Sequence, residues 1–194
     1  MPSLFSKIQS DAERAGFLPR TKASRDWFIR KISGLSNVSP SKILNDEALK
    51  TRGKPLIGRM FTFLYDPKYK ETLPYYDRFP LIIMVGPAKG GFYGLNLHYL
   101  PPRQRAVFFD RLMDHMNNKK LDETTRFRLS YDMLSSTARL RAFAPCFKHY
   151  LMDHVASKTV EIFPKEWEIA LFLPTERFVG ENKAKIWQKT RTLI

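Results

Sequence analysis

Three runs of apolar and aromatic residues, each closed by a strong turn signal, occupy the middle of this 194-residue chain. They are Met60 to Tyr65, Phe79 to Val85 and Phe92 to Leu100. Asp66-Pro67 breaks the first run, Pro74 and Pro80 bracket the approach to the second, and Gly90-Gly91 separates the second from the third. Short apolar runs bounded by Pro, Gly and Asp read as strands. Glycine tolerates positive φ, so a Gly-Gly pair lets two such runs turn tightly into each other. Three antiparallel strands are expected here. Lys158 to Phe163 sets Thr159 and Glu161 in alternation with Val160 and Ile162, and supplies a fourth strand for the same sheet.

Helices flank this centre. Ser3 to Ala15 has a capping serine, Leu4 and Ile8 on one side, and Gly16 as a stop. Ser24 to Ser33 places Phe28 and Ile32 one turn apart before Gly34. Leu35 to Lys54 is a connector with one short helix after Pro40. Pro101-Pro102 opens a helix with Phe108, Phe109, Leu112 and Met116 on one face, because a first-turn proline gives up no hydrogen bond. Asp110 and Asp114, on its other side, pair in expectation with Arg103 and Arg111. A further helix runs from Asp122 or Thr124 to Ala138, and a third segment from Ala142 to Asp153, interrupted at Pro145, buries Phe147, Tyr150 and Leu151. Pro164 opens a short helix through Trp167 that ends at Pro174. The tail from Glu181 is polar and basic, with Ile186, Trp187 and Leu193 as docking residues.

The fold class is therefore α+β: a small antiparallel sheet or barrel of about four strands, flanked by helices, with a basic N-terminal arm. The division is residues 1–57 as arm and linker, 58–178 as core domain and 179–194 as basic tail. Hydrophobic residues make up 43% of the chain, enough for a real core. Ten aromatics between Phe61 and Tyr99 are expected to pack that core and anchor its turns rather than stack bases, since Lys and Arg are not interleaved through the strands.

Charge narrows the partners. The net charge is +14, and half of it lies before Met60, where twelve Lys and Arg meet five Asp and Glu. Such an excess favours a polyanion, whether nucleic acid or an acidic protein surface. No run approaches the ~18 apolar residues that a membrane span needs, and the N-terminus lacks the apolar core of a signal peptide. The single cysteine, Cys146, precludes an internal disulfide and a cysteine cage for zinc; it fits a small core residue and a reducing cytoplasm.

Little in the chain resembles a reaction centre. No phosphate-cradling glycine loop precedes a helix, and His149 and His154 are spaced to fall on different helix faces; with His98 and His115 they fit surface or packed histidines. Asp66-Pro67-Lys68 has the acid-x-Lys spacing of a Mg²⁺-dependent nuclease, with Asp77 or Glu71 as further carboxylates, but the triplet is also an ordinary turn. No cofactor or metal is indicated. What remains is a set of candidate phosphate contacts: Arg103, Arg105, Lys119, Lys120, Arg126, Arg128, Arg139, Arg141 and Lys148. In the arm, the corresponding candidates are Arg20, Lys22, Arg25, Arg30 and Lys31.

The segments YDPKYKETLPYYDRFPL, from Tyr65, and GGFYGLNLHYLPP, from Gly90, resemble virion proteins of T-even-type contractile-tailed phages, nearest to the DNA end-protecting group. TTRFRLSYDML, PCFKHYL and IALFLP extend the resemblance over Gly58 to Phe178; before Gly58 it is not carried by any segment. The resemblance implies a non-enzymatic virion protein that binds the ends of packaged double-stranded DNA and shields them from exonucleases. It also implies other phage structural proteins as neighbours, an oligomeric state set by the assembly, and residence in the host cytoplasm before the particle is complete. A structural subunit of tail, neck or baseplate with no DNA role is the alternative, and the Mg²⁺-dependent nuclease a second.

Overall fold

The computed structural model describes residues 2–18, 21–35, 38–53, 55–116 and 141–191. In chain order these form α1 (Leu4–Arg14), α2 (Lys22–Ser33), α3 (Pro40–Leu44), β1 (Lys50–Arg52), β2 (Met60–Thr62), β3 (Tyr76–Asp77), β4 (Leu81–Ala88) and β5 (Gly91–Asn96). There follow α4 (Pro102–Met116), β6 (Phe147–Leu151), β7 (Thr159–Ile162), α5 (Trp167–Phe172), β8 (Phe178–Val179) and α6 (Lys183–Arg191). The fold is α+β, with more strands than the sequence suggests.

Six strands make one antiparallel sheet in the order β1-β7-β2-β4-β5-β6, and β3 pairs with β8 apart from it. Strands β4 and β5 turn into each other over Lys89-Gly90, where Gly90 has φ +71°, as the glycine pair requires. The sheet ends at β1 and β6, which do not pair, so it is open rather than a barrel. Its faces follow the two-residue side-chain period. Met60, Leu81, Ile83, Leu95, Val160 and Ile162 face the helices. Phe61, Phe63, Ile82, Met84, Phe92 and Tyr150 form a second apolar cluster on the opposite face. Burial on both faces is why Leu81 to Val85 is continuously apolar instead of alternating.

Helix α5 is buried over all six residues, and α1, α2 and α4 pack against it. The N-terminal segment is therefore not an arm reaching away from the body. Its caps are local and legible: Ser3 accepts from the Ser6 amide, and Thr21 and Ser24 form a reciprocal capping box. The apolar faces beyond those caps, Phe5, Ile8 and Ala12 on α1 and Phe28 and Ile32 on α2, are sunk in the main core. Strand β1, within the expected connector, pairs with β7.

The expected helix from Ala142 to Asp153 is the other correction. A 3-10 turn over Arg141–Cys146 leads directly into β6, which pairs with β5. Pro145 has no N–H to continue a helical ladder, and β5 offers an edge to pair with. Two glycines of β5 make the approach possible. A Cβ at Gly91 would stand 1.8 Å from the Tyr150 carbonyl oxygen, and one at Gly94 would press on Ile82 and Tyr150. The Tyr150 ring lies between Phe63, Tyr65 and Phe92, at 5.4, 4.9 and 5.5 Å between centroids. Cys146 is a core residue whose thiol burial pushes up to about 12. The expected helix from Asp122 to Ala138 lies outside the described residues.

Gly91→Ala forces β6 away from β5, because the clash is with backbone. A loss of about 3 kcal/mol in urea unfolding is expected, with a smaller loss for Gly90→Ala, whose Cβ would meet only Leu151 Cδ2 at 3.6 Å.

Candidate nucleic-acid interface

The chain turns sharply after β5, in a 3-10 turn over Leu97–Tyr99, and three elements are tied to that turn. Asp77, at the end of β3, is buried and accepts from the amides of Phe79 (3.1 Å) and Arg177 (3.0 Å). Its other oxygen meets Asn96 Nδ2 at 3.2 Å and His98 Nδ1 at 2.6 Å. The opposite nitrogen of His98 lies 3.1 Å from Thr175 Oγ1. Burial alone pushes the Asp77 carboxyl up. The charge and hydrogen bond of His98, with the two amides, outweigh it and hold the group below its ordinary 3.8.

Arg105 is the clearest departure from expectation. Its side chain is fully buried, donating to the carbonyls of Leu100 (2.7 Å), Leu171 (2.9 Å) and His98 (3.4 Å). It joins α4, α5 and the 3-10 turn and presents nothing to a phosphate. Arg25 is likewise engaged, bridging Asp110 on α4 and Glu168 on α5. Asp110 thus pairs with α2 rather than with Arg103. Lys148 sits on β6, its ammonium 4.4 Å from the Tyr99 ring centroid, and burial pulls it below its ordinary value.

The exposed candidates are Arg103, Lys22, Arg30 and Lys31. Lys31 is shared with Asp11 at 3.0 Å. Lys119, Lys120, Arg126, Arg128, Arg139 and Arg20 lie outside the described residues, as does the Arg141 side chain.

A basic helix, read from the sequence only as a tail, joins this set. Ile186 of α6 is buried, Trp187 Nε1 donates to the His98 carbonyl at 2.8 Å, and Thr190 Oγ1 donates to the Tyr99 carbonyl at 3.0 Å. So fixed, α6 turns Lys183, Lys185, Lys189 and Arg191 outward. Arg191 and Trp187 share a groove with Arg103 and Ile29. The signal was present in the sequence: Ile186 and Thr190 lie four apart, with four cations between and around them.

The Asp66-Pro67-Lys68 triplet is a turn, with the Lys70 amide donating to the Pro67 carbonyl. Asp66 is exposed and paired with Lys70 at 3.0 Å. Among the described residues no three acidic, histidine or cysteine side chains converge as a metal site would need. His149 and His154 bond to the Lys89 and Asp66 carbonyls, on different parts of the surface. No helix among the described residues is long and apolar enough to cross a membrane.

A family model described as the phage T4 terminal DNA protecting protein matches residues 3–191. The match takes in the N-terminal helices, to which the resemblance of individual segments did not extend. No curated protein and no solved structure matches the chain.

Arg105→Met removes a donor to three carbonyls; that of His98 keeps Trp187, while those of Leu100 and Leu171 lose this partner in the core. A loss of about 3 kcal/mol is expected in urea unfolding, whereas Arg103→Met at the exposed position leaves the midpoint nearly unchanged. Acid acts through Asp77. Its folded-state pKa is depressed, so its stabilisation is complete above the unfolded value and drains away as pH falls through the folded one. Thermal midpoints are expected to fall below about pH 4, and the midpoint of Asp77→Asn, lower throughout, to change less over that range.

Proposed function

The chain belongs to the phage T4 terminal DNA protecting protein family, and from that we propose that it binds the ends of packaged double-stranded DNA and shields them from exonucleases. The family match over nearly the whole chain carries this reading. A net charge of +14 supports it, because binding that neutralises phosphates releases their counterions. So does the outward set of cations on α6 beside Arg103.

In this reading the protein works by occupancy. Lysine and arginine side chains hold the last turns of the duplex, and the folded body stands where an exonuclease must load. No bond is made or broken, and the family's role in protection fits a structural component of the virion. The chain reaches that place from the host cytoplasm during assembly, among other phage structural proteins.

Linear duplex with blunt ends is expected to resist a processive exonuclease when the protein is bound, and a nicked circle of the same sequence to bind more weakly. Equal affinity for the two forms overturns the end-specific part of the proposal. The logarithm of affinity falls with the logarithm of salt by about 0.9 per phosphate contact. Replacing both Arg103 and Arg191 by Gln is expected to flatten that slope by about 2 in a salt-graded gel shift.

A further inference from the structure

Six of the chain's eight tyrosines line one cavity of about 260 Å³. They are Tyr65, Tyr69, Tyr75, Tyr76, Tyr99 and Tyr150, brought together from β3, β6, the loop after β2 and the 3-10 turn. Tyr99 and Tyr150 are buried at its base, but Tyr69 is 62% exposed, and Leu73 beside it 41%. The cavity is an aromatic slot with one open side.

Its charges are of one effective sign. Lys148 lies at the Tyr99 ring face inside, with no carboxylate paired to it among the described residues. Lys68, which also lines the cavity, has its Nζ 5.3 Å from the Tyr69 ring centroid, and Lys189 of α6, outside the lining, has its Nζ 5.2 Å from that of Tyr75. Asp77 also borders the cavity, but both its oxygens are taken up by the four partners described above. Ammonium groups of the protein already stand over three of the six rings, and their charge works against a cationic ligand. An anion carrying a flat ring fits both features. At about 260 Å³ the cavity is small for a ligand pocket and has room for one nucleotide at most.

We propose that this slot receives the terminal nucleotide of a DNA strand, with the base against the tyrosine rings and the phosphate toward Lys148 and Lys68. The proposal rests on the DNA-end reading and supplies it with a reason for preferring ends. Any base can stack on an aromatic face, so the contact is indifferent to sequence. A base inside a duplex must break two stacks and a pair to leave, whereas the last base has one stack and its pair to give up. The cations of α6, linked to the slot through Lys189 and Tyr75, lie where the adjoining phosphates would run.

The test uses the full chain and a short duplex with a fluorescent adenine analogue as its last nucleotide. Binding is expected to change the analogue's emission when it is terminal and not when it is central. Tyr69→Ala, at an exposed position, is expected to weaken binding to linear duplex about tenfold and to leave binding to nicked circles unchanged. Tyr93→Ala, which removes a tyrosine outside the slot, is expected to behave as the parent chain. Should the parent bind ends with an unaltered terminal signal, and Tyr69→Ala bind them equally well, the slot proposal falls while the end-protection reading stands. A Tyr69→Ala chain that keeps end binding but no longer joins the particle makes the slot a seat for a neighbouring protein, and also overturns the proposal. A parent chain that binds no DNA overturns both readings together.

Discussion

One buried carboxylate holds together parts of the chain that are far apart in sequence. Asp77 receives hydrogen from the amide of Phe79 two residues on, from Asn96 at the end of β5, from His98 in the next turn, and from Arg177 a hundred residues on. Without it, β3 and β8 would be a two-residue pairing with little to keep it closed. The His98 carbonyl carries the same connection outward, accepting from both Arg105 and Trp187. Helix α6, the turn before α4 and the slot lined by tyrosines therefore take their positions from a common point.

The charge spread over the sequence is sorted by the fold. Several carboxylates are turned inward: Glu161 is buried against Arg52, Glu168 faces Arg25, and Glu176 lies between Arg105 and Lys183. Arg25, Arg52 and Arg105, held in these contacts, are not available to a ligand. The cations of α6 and the start of α4 remain at the surface, even where they also touch a neighbour. A polyanion therefore meets a face selected by burial rather than by the local density of Lys and Arg along the chain.

Features with local causes were legible in the sequence. The three central strands, the serine and threonine caps, the proline that opens α4 and the glycine turn at Gly90 all depend on neighbours within a few residues. What escaped depends on distant partners. Strand β6 is a strand because β5 lacks side chains at Gly91 and Gly94, a fact about another segment. Arg105 was grouped with phosphate contacts by its charge alone, yet it lies three and four residues before Phe108 and Phe109, on the face that is buried. That spacing was the clue to its inward position. The tyrosine slot draws on residues from Tyr65 to Tyr150, and no window of sequence contains it.

The chain's only thiol, at Cys146, is enclosed in the core and too weakly acidic to supply much thiolate at neutral pH. Its silence is an experimental convenience. A cysteine introduced at any exposed residue would be the sole reactive sulfur on the molecule, so a spectroscopic probe or crosslinker could be attached at one chosen place. The native protein thus comes already suited to mapping, residue by residue, whatever it touches in the particle.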